Sequence, residues 1–137
     1  MQFLSSLQVS FLKSESQEFR SLIDELYSLP MVRFAVINDS YGERLVGGMK
    51  PGVQSISPDE SEKRLAMQSV IMLKMAEDFE KYTGELHYST IRWDKMKAIF
   101  FLLSPERAVT VTIYGDTPLE QISKVENVVR NWKKYHA

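Results

Sequence analysis

The chain has 137 residues, 44% of them hydrophobic and 26% charged, which is the composition of one ordinary globular domain. Seventeen Lys and Arg face eighteen Asp and Glu for a formal net charge of −1, against the basic excess expected of a dedicated nucleic-acid binder. The chain has no cysteine, which excludes disulfides, thiolate metal sites and thiol catalysis.

Residues 1–13, MQFLSSLQVSFLK, place Leu4, Leu7 and Phe11 at helical spacing in a short, Ser-containing stretch. They are expected to form an N-terminal helical arm or a tail. The stretch lacks a basic leading region and a small-residue cleavage site, so a signal peptide is not expected. No apolar run reaches the length of about 18 residues needed to span a bilayer, so no membrane insertion and a cytoplasmic location are expected.

Residues 14–137 read as one domain. Phe19, Leu22, Ile23 and Leu26 recur at i, i+3, i+4 and i+7, the pattern of an amphipathic helix that Pro30 ends. MVRFAVIN carries apolar residues on both alternating sets, as a strand inside a covered sheet does. The polar cluster NDSYGE then turns the chain into RLVGGM, giving a hairpin. After a linker, Ser57-Pro58-Asp59-Glu60 predicts a capping box with Ser57 at the N-cap and Pro58 at the first helical position. This helix is expected to run to about Tyr82, with Gly84 as its stop.

Three strands follow: ELHYSTIRW as an edge, KAIFFLL at the centre, and AVTVTIY. In the last, Val109, Val111 and Ile113 share one face, and Thr110, Thr112 and Tyr114 the other. Thr117-Pro118-Leu119-Glu120 repeats the capping pattern before a final helix. That helix carries Leu119, Ile122, Val125, Val129 and Trp132 on one stripe, with basic residues in its last turns. The order α-ββ-α-βββ-α predicts an α+β fold, an α/β/α sandwich with one five-stranded antiparallel sheet and helices on both faces.

This order, with its hairpin FAVINDSYGERLVGG, resembles the roadblock/dynein-light-chain family within the profilin-like and longin-like group, small archaeal roadblock-like proteins in particular. The resemblance covers roughly residues 14–134 and rests mainly on topology. It implies strand order 2-1-5-4-3 with the long middle helix alone on one face. It also implies a non-catalytic homodimeric or heterodimeric platform for small GTPases and scaffold proteins.

The residues carry little sign of chemistry. A P-loop needs G-x-x-x-x-G-K-[ST] directly before a helix, and Gly47-Gly48-Met49-Lys50-Pro51-Gly52 has no such spacing. Gly47 and Gly48 are therefore read as a place of close backbone approach, with a ligand or partner backbone as the other possibility. His87 and His136 have no second ligand at metal spacing, and no G-x-S-x-G elbow supports a serine nucleophile. No catalytic residue, cofactor or metal is expected.

The informative element is residues 58–82. Leu65, Met72, Ala76 and Phe79 form one stripe, Met67, Ile71, Met75 and Tyr82 lie beside it, and Val70 sits further round. The apolar arc is wider than one sheet face requires. The surplus, with the edge around His87, Tyr88 and Trp93, predicts a homodimer or partner interface. The favoured function is a homodimeric scaffold or regulatory module acting with a small GTPase. The alternative is a sensory module that binds a small apolar ligand in a pocket of several hundred Å³ between sheet and helix.

Overall fold

The computed structural model describes residues 6–136. The elements are α1 (Ser6–Tyr27), β1 (Val32–Asn38), β2 (Arg44–Met49), α2 (Asp59–Glu77), α3 (Glu80–Thr83), β3 (Ser89–Arg92), β4 (Met96–Ser104), β5 (Arg107–Tyr114) and α4 (Ile122–His136). A 3-10 turn, Leu119–Gln121, leads into α4. The five strands form one antiparallel sheet in the order β2-β1-β5-β4-β3, as the resemblance implies. Residues 6–13 continue α1 without a break; Met1 to Ser5, the start of the expected arm, lie outside the described residues.

The alternation in β5 sets the two faces. Val109, Val111 and Ile113 join Ala35, Ile37, Ile99 and Phe101 in the main core, sealed by Phe19, Leu22, Ile23 and Leu26 of α1 and Val125, Val129 and Trp132 of α4. Trp132 stacks at a tilt on Phe19, with centroids 5.8 Å apart, and its indole donates to the Glu18 carbonyl at 3.1 Å. On the opposite face, α2 packs Leu73 against Ala98 and Phe100.

Both expected capping boxes are corrected. The N-cap of α2 is Pro58, in an extended conformation, and its carbonyl accepts from the amides of Ser61 and Glu62. Ser57 is not the cap: its hydroxyl donates instead to the Glu62 carboxylate at 3.1 Å. Asp59, Glu60 and Glu62 in the first turn still complement the helix dipole. Likewise Pro118, not Thr117, opens the 3-10 turn, and Leu119 is exposed rather than part of the α4 stripe.

The long middle helix also ends sooner than expected. After Glu77 the backbone tightens, with Asp78 and Phe79 bonding to Met75 and Ala76, and Gly84 closes the short α3 instead. Glu77, Asp78 and Glu80 crowd the negative end of the α2 dipole, which disfavours continuation.

Candidate interaction surface

Four residues of α2 are buried: Ala66, Ser69, Val70 and Leu73. Val70 is thus central to the sheet-facing stripe and not further round. Met72 and Phe79, expected on that stripe, are exposed. Small side chains explain the choice, because Ala66 and Ser69 let the helix approach the sheet, and Ser69 satisfies its hydroxyl on the Ala66 carbonyl at 2.7 Å.

The outward side carries Ile71, Met72, Met75, Phe79 and Tyr82, between 52% and 77% exposed. Their spacing makes a continuous apolar stripe along α2 and α3. Single exposed apolar residues are ordinary, whereas a contiguous exposed run of five along one side is not. Lys74, Glu77, Asp78 and Lys81 border it, and the Lys81 ammonium lies 5.2 Å from the Tyr82 ring centre.

The seven residues expected at an interface do not form one surface. Ile71, Met75 and Tyr82 lie on the exposed stripe. Met67 is half-buried against the β1–β2 turn, where a Cβ on Gly42 would come within 3.2 Å of it. Tyr88 precedes β3 and packs on Phe101, with centroids 5.9 Å apart, on the α1/α4 face. His87 lies beside Arg130 of α4, at 3.3 Å. Trp93 follows β3 and lines a cleft at the other end of α2. The strand β3 itself has only four residues and, among the described residues, pairs with β4 alone, with an open edge on its outer side.

Gly47 has φ +102°, and a Cβ there would lie 2.1 Å from the Ala35 carbonyl oxygen of the paired strand. Gly48 also has positive φ, and its carbonyl accepts the Tyr27 hydroxyl at 2.7 Å. Close backbone approach therefore holds at Gly47, against the paired strand of its own hairpin, and not at Gly48, where a Cβ would meet only the Arg44 guanidinium at 3.4 Å.

The cleft lies between the N-terminal half of α2, the loop before it and the sheet, with a volume of about 460 Å³. Phe34, Met49, Ile56, Leu65, Trp93 and Met96 give it apolar walls. The sequence reading missed Arg33 and Thr112 in its floor. An Arg inside the apolar run MVRFAVIN was the available signal. Among the described residues, no cluster of three or more His, Asp or Glu could hold a metal ion, and no helix is long and apolar enough to cross a membrane.

No protein-family profile matches the sequence, and no curated protein matches it. Solved structures do. The gliding protein MglB from Thermus thermophilus superposes with a TM-score of 0.64 at 9% identity, over 88% of this chain and 91% of that one. A structure of MglB with tetrameric arrangement gives 0.65 at 12% identity, over 87% and 88%. The Roadblock/LC7 domain from Streptomyces avermitilis gives 0.59 at 10% identity, over 84% and 91%. The chain therefore has the roadblock/LC7 fold.

Proposed function

We propose that this chain is a non-enzymatic interaction module that self-associates through the outer face of α2 and the edge strand β3. It acts in the cytoplasm as a scaffold or regulator of a partner protein, with a small GTPase as the expected class. The observation that carries the reading is the exposed stripe Ile71, Met72, Met75, Phe79 and Tyr82. A stripe of this kind is covered by a second protein surface rather than left in water. The solved MglB in a tetrameric arrangement supports self-association for this fold. The GTPase partner rests on the roadblock resemblance.

Replacing Ile71 or Met75 with Lys introduces a charge into the contact. Multi-angle light scattering should give a dimer mass for the unaltered chain and a shift toward monomer for each variant. An unaltered chain that stays monomeric at high concentration would remove the self-association. Capture from native cell extract, with either Lys variant as control, tests for a GTPase partner.

A further inference from the structure

We propose that the cleft beside the N-terminal half of α2 binds a small amphiphilic carboxylate, its head group on Arg33 and its apolar body against Phe34, Ile56, Trp93 and Met96. The inference does not rest on self-association: the cleft shares no residue with the exposed stripe of α2.

Arg33 is placed there by a bulge. Val32 pairs with Ile113 and Phe34 with Thr112, so Arg33 is an extra residue opposite no partner on β5. Bulges re-aim side chains, often beside functional sites. Arg33 lines the cleft only 7% exposed, yet among the described residues no carboxylate lies within 4.0 Å of the guanidinium. Its contacts are the Gln54 carbonyl at 2.9 Å, the Met96 thioether at 3.8 Å and the face of Tyr114 at 5.4 Å. A buried charge without a counter-charge is costly, and several of the guanidinium's donors remain available.

A second, independent group points the same way. Thr112 lines the same cleft, is also 7% exposed, and its hydroxyl has no hydrogen-bond partner among the described residues. A hydroxyl in that state awaits an acceptor or costs stability. Glu62, the one acid in the wall among the described residues, is already engaged by Arg44 at 3.4 Å and by the Ser55 and Ser57 hydroxyls. Arg64 and Lys95 add positive charge at the cleft wall. Its volume is that of a small-molecule site. One negative head on an apolar body matches this distribution, where a wholly apolar ligand would leave Arg33 and Thr112 unanswered.

The test uses the full chain, labelled with nitrogen-15 and titrated with decanoate, with decanol as the uncharged control. Saturable shifts are expected at the Trp93 indole and at the amides of Arg33, Ile56 and Thr112. Decanol should bind about tenfold or more weakly, the worth of a charge-assisted hydrogen bond. Arg33→Met, which keeps the apolar stem, should weaken decanoate to the same degree. Thr112→Val removes the unpartnered hydroxyl at equal shape, so the variant should fold at least as well while holding decanoate less tightly. It keeps the test decisive if Arg33→Met does not fold. No binding, equal binding of decanoate and decanol, unchanged affinity in the variants, or shifts confined to Ile71, Met75 and Tyr82 would each overturn the proposal.

Discussion

The two faces of the sheet are finished to different degrees. On one, α1 and α4 lie side by side, and Leu22, Ile23, Leu26 and Val125 are entirely excluded from water. On the other, α2 is alone and fully excludes little beyond Leu73, Ala98 and Phe100. Width explains the contrast. Five strands at about 4.8 Å spacing span roughly 19 Å between the outer axes. A helix with its side chains is only about 10–12 Å across. Two helices cover such a sheet and one does not, so a single helix leaves a trough beside it. Here the trough is floored with threonines and Arg33, and the helix back is apolar. The α1/α4 face is completed by folding, and the α2 face keeps an exposed apolar stripe and an open cleft.

The sharpest way to break this contrast is to open the sealed face. Leu22 is wholly buried between α1 and the sheet. Leu22→Ala should cost about 2–5 kcal/mol, the range for a buried leucine whose site collapses only partly. Urea denaturation measures it, and a loss below about 1 kcal/mol would mean the face is looser than its burial implies. Next in size comes Gly47→Ala. Its Cβ would meet the Ala35 carbonyl, and its positive φ disfavours any side chain. About 1–3 kcal/mol should be lost. Gly48→Ala should cost less, because a Cβ there meets only the flexible end of Arg44, at 3.4 Å.

The same contrast explains what could be read in advance. Strands and sealing helices announce themselves through strict periodicity: Val109-Val111-Ile113 and Phe19-Leu22-Ile23-Leu26 each have one physical use. The element order and the strand order followed from them and from the roadblock resemblance. α2 defeated the same reasoning because its apolar arc is wider than one sheet face requires. Periodicity alone could not say that Ala66-Ser69-Val70-Leu73, the smaller side chains, faces the sheet while Met72 and Phe79 face out. The α2 cap departs from the capping-box motif for a local reason: Ser57 has a competing acceptor in Glu62, which lies beyond the four-residue motif. Arg33 was hidden by a bulge, which no alternation rule anticipates.

A smaller effect tests the margin of the sealed face, where α1 touches the edge strand β2. Tyr27 donates to the Gly48 carbonyl, and losing that bond in Tyr27→Phe should cost about 1 kcal/mol at neutral pH. Burial, partly opposed by Arg20, the Gly48 bond and Arg44, raises the Tyr27 phenol above its ordinary pKa. The folded state then holds this proton more firmly than the unfolded state. The associated stability is present below about pH 10 and is lost as pH climbs through the raised value. Tyr27→Phe should therefore show a shallower alkaline decline in its melting temperature. Some decline remains from Lys63, whose pKa its Glu43 partner raises, although solvent screens that exposed pair. Parallel alkaline limbs in the two proteins would count against a buried phenol.

The smallest expected effect is the most informative about the open face. Met75 lies at the middle of the outer stripe and is 66% exposed, so within one chain it contributes little buried area. In solution dilute enough to keep the chain monomeric, Met75→Lys should change stability by no more than about 0.5 kcal/mol, as for a free surface position. At high concentration the unaltered chain should melt higher as it associates, because a partner that binds only the folded state stabilises it by mass action. The Lys variant should lose that rise. The two proteins would then share a melting temperature at low concentration and separate as concentration increases. If Met75→Lys is destabilised at every concentration by more than about 1 kcal/mol, the side chain is already packed within the monomer. The α2 face would then be as closed as the α1/α4 face, and the contrast between them would fail.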